Sequence, residues 1–234
     1  MHQKMNPKQH GFRSGRSCLS QLLEHHYKIL EELEKSNNVN VIYLDFSKAF
    51  DKVDHGILLN KLKKIGINGK IGVWIHNFLS KRQQCVAVNG TTSSEVQVRS
   101  GVPQGSVLGP LLFLIHISDI NYEIADSTVS SFADDTRILL GIKDEEDIQM
   151  LQNDLHKLFK WADTNNMKFN ANKFELLRYG KEQEIQSATT YKSYDDSNID
   201  DQEHIRDLGI MMSNTATFTL HIRNIVKKAR DNMG

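Results

Sequence analysis

Val39, Val41, Ile42, Tyr43 and Leu44 form one short β-rich run. A strand that is apolar on neighbouring as well as alternate positions is typical of one covered on both faces, which points to a mixed α/β layering with helices packed on a sheet. The rest of the chain supplies those layers. Before the run, Leu19, Leu22, Leu23, Ile29, Leu30 and Leu33 predict a helix from Cys18 to Lys35, capped by Ser17. After it, Leu58, Leu59, Leu62 and Ile65 mark a second helix and Ile71, Trp74, Ile75, Phe78 and Leu79 a third, with "GINGK" breaking them. "QCVAVNGTTSSEVQVRSG" reads as a hairpin turning at Asn89 and Gly90. Past "SGVPQGSVLGP" an apolar helix-length segment runs to about Ile120, and "SSFADDTRIL" then reads strand, turn, strand. Ile148, Leu151, Leu155, Leu158 and Phe159 predict a helix over 144–163, followed by the short extended pieces "MKFN" and "FELLRYG". Residues 181–204 read as a loop or exposed hairpin, and a final helix starts near Phe218.

Composition narrows the class. With 234 residues, 39% hydrophobic and 25% charged, the chain can bury a core as one domain or one and a fraction. Cys18 and Cys85 alone argue against a disulfide scaffold and give no zinc-like cluster. The first residues lack an apolar signal core, and "VLGPLLFLIHI" is much shorter than the roughly 20 residues a bilayer requires. The expectation is an intracellular chain with no membrane segment. Net charge is zero, yet residues 1–100 carry 15 Lys and Arg against 8 Asp and Glu, and residues 101–234 carry 14 against 21. A basic half can hold phosphates, while an acidic half holds metal ions or is merely solvated, so the asymmetry is not specific.

Two acidic sites sit at strand ends: Asp45 after the buried run, and Asp134 with Asp135 in "FADDT". Taken alone, the pair reads as an ordinary hairpin turn. A β-α-β-β arrangement can bring the two sites together, and three clustered carboxylates would repel unless cations lay between them. Hard oxygen ligands suit Mg²⁺, and two such ions about 3.5–4 Å apart can activate a 3′-hydroxyl and stabilise leaving pyrophosphate.

"VIYLDFSKAFDKVDH", "SGVPQGSVLGPLLF" and "FADDT", with "QHGFRSGRS" before them and "MKFNANK" after, resemble the reverse transcriptases of non-LTR (LINE-type) retrotransposons over roughly residues 9–234. That resemblance implies a polymerase palm, an antiparallel sheet packed on helices with partial fingers. Residues 1–38 would be partial fingers, 39–180 the palm with inserted fingers elements, and 181–234 a post-palm hairpin and the start of the connection to a thumb. Asp45, Asp134 and Asp135 would be the catalytic aspartates, holding two Mg²⁺ ions, or Mn²⁺, with the backbone carbonyl of Phe46 as a further ligand. Phe50 would block a ribose 2′-hydroxyl, Gln104 and Gly105 of "PQG" would lie against the incoming nucleotide, and Lys173 near the departing pyrophosphate. Arg13 and Arg16 would sit near template phosphates. The implied partners are an RNA template, a DNA primer and deoxynucleoside triphosphates; no oligomeric state is implied.

Read locally, several of these residues have plainer roles: Phe50 in a core, "PQG" as a tight turn before a helix, Lys173 as a solvated side chain, Arg13 and Arg16 in a basic flexible end. Lys61, Lys63 and Lys64 are expected on a solvated helix face, His25 and His26 as helix-surface or core residues, and Asp51 and Asp54 in a turn or helix cap. The sequence departs from the family at His116, Ser118, Asn165 and Phe174, and upstream fingers with an "RPI"-like stretch, most of a thumb and an endonuclease are not recognisable in it. A catalytically inactive remnant that binds RNA or a protein partner is therefore the alternative, and an acidic-site phosphotransferase of another type a third.

Overall fold

A computed structural model describes residues 6–36, 38–180 and 190–233. In chain order the elements are α1 (Cys18–Ser36), β1 (Asn38–Leu44), α2 (His55–Lys64), α3 (Gly69–Leu79), β2 (Gln83–Gln84), β3 (Ala87–Val88), β4 (Thr91–Thr92) and β5 (Val96–Gln97). Then come α4 (Leu108–His116), β6 (Thr128–Phe132), β7 (Asp135–Ile142), α5 (Glu145–Thr164), β8 (Glu175–Gly180), β9 (Asp200–Gln202), β10 (His204–Asp207), β11 (Ile210–Ser213) and α6 (Thr219–Asp231). The described residues fall into two compact units, one drawn from 1–7, 46–122 and 160–168, the other from 8–45, 123–159 and 169–234.

The second unit holds the main sheet, ordered β6-β7-β1-β8-β9. Its first three pairings are antiparallel and only β8–β9 is parallel. β1 is buried along its whole length, as its apolar run requires. On one face Val39, Val41, Tyr43, Leu139, Leu177 and Tyr179 pack with Ile29 of α1 and with Ile205 and Met212 of the β10–β11 hairpin. α1 starts where expected: Ser20 N–H donates to Ser17 Oγ at 3.1 Å. The stretch expected to be an exposed loop differs. Residues 181–189 lie outside the described residues, but Tyr191 and Ile199 beyond them are buried, and Asn40 Nδ2 donates to the Tyr191 hydroxyl at 2.8 Å. A polar segment is drawn in because its few apolar side chains are covered there, the Tyr191 ring lying beneath the Arg178 guanidinium of β8 with its hydroxyl on Asn40 of β1.

In the first unit Asp54 caps α2, accepting from Ile57 N–H at 2.9 Å. The β3–β4 hairpin turns at Asn89 and Gly90 with φ of 50° and 79°, the paired left-handed geometry that suits a two-residue turn. α4 ends at His116, and the chain continues to Ile120 in tighter turns, with Ile120 N–H donating to Ile117 O at 3.2 Å. Lys61 is not on a solvated face. Its side chain is 11% exposed and pairs with Asp119 at 2.6 Å, under the Trp161 ring, because the apolar stem is covered while the ammonium finds a carboxylate. Among the described residues no helix is long and apolar enough to cross a membrane.

Candidate active site

Strand registers set the site. Leu44 of β1 is paired with Thr136 of β7, Phe132 of β6 with Asp135, and Tyr43 with Glu175 of β8. One step further along the β1–β7 ladder Asp45 falls opposite Asp135, and two steps beyond the Tyr43–Glu175 pair it comes level with Lys173, in the turn that precedes β8. Residues directly opposite share a face, so Asp45 and Asp135 belong to the face of Tyr43 and Arg137, with Asp134 in the turn beside them. The end of β1 is fixed by Asn170 N–H donating to Asp45 O at 2.8 Å, and a 3-10 turn over Ala171–Lys173 brings Lys173 Nζ to 2.6 Å from Asp45 Oδ2.

The carboxylates feel one another. Asp134 is raised above the ordinary carboxylate range by withdrawal from water, with Asp45 adding to the shift and Lys173 opposing it. Asp135 is raised by the same desolvation, then by Asp134, with Arg137 opposing and Asp45 contributing further. Asp45 and the Asp134–Asp135 pair, 89 residues apart in sequence at Asp134, thus lie within electrostatic reach of one another. Asp45 and Asp135 line a cleft of about 380 Å³ together with Arg137, Lys173, Glu175 and Asp207; Asp134 is not part of its lining.

Arg137 and Asp207 were not singled out by the sequence reading. They form a buried ion pair, 1% and 3% exposed at their side chains, joining β7 to the end of β10. The available signal was a charged residue, Arg137, inside the apolar run "RILLGI", which demands a buried partner of opposite sign.

Other expected site residues have definite local surroundings. Arg13 Nη1 donates to Gln9 O at 3.1 Å, and Arg16 Nη1 lies 3.4 Å from Glu24 Oε2, so this basic end is held by the protein and is not a loose tail. Phe46, Phe50, Gln104 and Gly105 belong to the first unit. The Phe46 ring is buried edge-on to Trp161, and Phe50 stacks on Phe113 with centroids 4.3 Å apart. Gln104 Nε2 donates to Asp51 Oδ1 at 3.0 Å, and Gly105 has φ of 77°, in a tight turn that Ser106 closes by donating to Pro103 O at 2.7 Å. His116 Nε2 donates to Asn165 O at 3.2 Å, and Phe174 stacks on Phe159 at 5.8 Å, so these departures from the family are accommodated by packing.

Among the described residues no three His, Cys, Asp or Glu side chains stand ready to hold a metal ion; Asp45 is turned onto the Lys173 ammonium. The donor chemistry still fits a hard divalent cation. The side-chain donors are carboxylate oxygens, and Asp134 and Asp135 are raised first by withdrawal from water and then by neighbouring carboxylates, both of which a cation would offset.

An antiparallel sheet ending in aspartates beneath a cleft is the layout of a polymerase palm, and solved structures agree on the fold. Telomerase from Candida albicans, in complex with a TWJ fragment of telomeric RNA, superposes with a TM-score of 0.60 at 12% identity over 89% of this chain and 35% of that chain. Apo telomerase from Candida tropicalis gives 0.59 at 9% identity over 89% and 36%. The family description Reverse transcriptase (RNA-dependent DNA polymerase) matches residues 1–212, and the chain belongs to that family. Its curated relatives include the RNA-directed DNA polymerase from the mobile element jockey of Drosophila melanogaster, 30% identical over 95% of this chain and 25% of the relative. The probable RNA-directed DNA polymerase from transposon BS of the same fly is 29% identical over 96% and 26%. The chain spans about a quarter of the length of these relatives. The family as a whole is divalent-metal dependent and copies RNA, and the kinship with non-LTR retrotransposons expected from the motifs stands.

Proposed function

We propose that this chain is the catalytic palm of an RNA-directed DNA polymerase that adds deoxynucleotides to a primer 3′-hydroxyl on an RNA template. The observation that carries the reading is Asp135 and Asp45 side by side at the ends of β7 and β1, with Lys173 of the turn before β8 on Asp45 and Asp134 in the adjoining turn, beside a cleft of about 380 Å³. Asp45, Asp134 and Asp135, with the backbone carbonyl of Phe46, would hold two Mg²⁺ ions, for which Mn²⁺ could substitute. When bound, such ions lower the pKa of the attacking hydroxyl and neutralise charge on the leaving pyrophosphate. Lys173 balances the carboxylates while the site lacks a cation and presents an ammonium to the pyrophosphate when it does not. Phe50 excludes a ribose 2′-hydroxyl, its ring braced by Phe113. Gln104 and Gly105 border the incoming nucleotide, and Arg13 and Arg16 hold template phosphate. In this reading residues 39–180 act as palm with inserted fingers elements, flanked by a fingers portion at 1–38 and by the approach to a thumb at 181–234.

Primer extension on an RNA template with Mg²⁺ tests the assignment, using the chain as it stands and the chain carried within the frame of a relative, each also with Asp134→Ala. Extension abolished by Asp134→Ala is the expected result. Extension that survives it removes the aspartates from catalysis, and no extension in either setting favours an inactive remnant.

A further inference from the structure

Gln9, His10 and Gly11 run beside β6 before the chain enters α1. His10 N–H donates to Ser131 O at 3.0 Å and Ser131 N–H donates to Lys8 O at 3.1 Å, a parallel bridge centred on Gln9 and Ser131. From this anchorage the Gln9 side chain grips one peptide unit of the acidic turn. Its Nε2 donates to Ala133 O at 3.0 Å, and its Oε1 accepts from Ala133 N–H at 2.9 Å and from Gly11 N–H at 2.7 Å. A single buried amide therefore satisfies both backbone groups of Ala133, as a neighbouring strand would.

Ala133 needs that support. Its φ is 55°, a left-handed conformation that residues with a Cβ rarely adopt, and it immediately precedes Asp134 and Asp135. It is also buried, so its N–H and C=O would lack water if Gln9 were absent. The approach is close enough to dictate glycine at position 11, where a Cβ would lie 2.4 Å from Ala133 N.

We propose that Gln9 is a positioning residue for the carboxylate pair: its amide fixes the left-handed Ala133 and so aims Asp134 and Asp135. The clamp is read from geometry alone, while its consequence for chemistry rests on the function proposed above. Residues that orient metal-holding side chains typically change metal affinity by about 10–100-fold when replaced.

The test uses the full chain. Gln9→Met keeps length and apolar bulk but removes all three amide bonds; Gln9→Glu keeps the two accepting bonds and loses only the donation to Ala133 O. Amide hydrogen exchange over residues 132–136 is expected to accelerate about tenfold or more in Gln9→Met and less in Gln9→Glu, with α5 and β8 unchanged. Mn²⁺ affinity, followed by electron paramagnetic resonance, falls about 10–100-fold in Gln9→Met. Ala133→Gly, which makes the left-handed turn easy to adopt, restores part of that loss in the Gln9→Met background and changes little alone, a rescue that general packing would not give. Exchange over 132–136 that is unchanged, or accelerated evenly along the chain in both variants, overturns the clamp. Parent Mn²⁺ binding that is absent or survives Asp134→Ala overturns the metal reading instead, and the exchange data still decide the role of Gln9.

Discussion

Lys173 holds the Asp45 carboxylate at 2.6 Å, yet 63% of its side chain is exposed. Exposed pairs contribute little, because water screens them and a long side chain must be immobilised. The contact is therefore a weak one, and a divalent cation bound as proposed would displace it at small cost. Lys173→Met is expected to tighten Mn²⁺ binding in the substrate-free protein by up to about fivefold, the range open to an exposed ion pair, while slowing nucleotide addition. Isothermal titration beside primer extension reads both effects; weaker binding in the variant would mean that Lys173 helps to organise the carboxylates instead of competing for one.

Two helices each bury a histidine, and they give the fold an acid limit. His25 of α1 lies 3.2 Å from the Tyr43 hydroxyl, and its pKa is held well below the ordinary value by burial, then by Arg137 and His26. His116 of α4 is lowered to about 4 by burial and by Lys61. At His116 the unfolded chain binds more protons than the native one between about pH 4 and the unfolded value near 6.5, and at His25 the same holds below 6.5. Stability is then complete above that range and declines as the pH falls through it. For His116 the decline amounts to about 3 kcal/mol. His116→Gln keeps a donor for Asn165 O and carries no titrating group, so urea denaturation from pH 7 to pH 4 is expected to show a flatter acid limb. An unchanged limb would place the acid sensitivity elsewhere.

At the scale of the molecule, the family relatives are about four times longer than this chain. Polymerisation depends on holding primer, template and triphosphate in line, and small misplacements cost about 100-fold in rate. Residues 1–234 alone are accordingly expected to extend a primer about 100-fold or more slowly than the same residues within a relative's full frame. Single-turnover extension at matched template occupancy measures the ratio. Equal rates would show that these two units suffice.

Local pattern determined most of the elements. The buried run of β1, the Ser17 and Asp54 caps, the Asn89–Gly90 turn and the 3.6-residue period of α5 are each written in neighbouring residues, and the acids of Asp45 and Asp134–Asp135 stand out because carboxylates at the ends of apolar strands need a reason. What the sequence could not specify is every contact whose partners are far apart along the chain. Arg137 against Asp207, Lys61 against Asp119 and Gln9 against Ala133 are separated by 70, 58 and 124 residues. Hydrophobic periodicity reports which side of an element is covered, but not by what. Only tertiary packing decides which charge meets which, and it is the β6-β7-β1-β8-β9 order of the sheet that brings Asp45 opposite Asp135, because a strand's partner is set by the register of the whole sheet and not by its own residues.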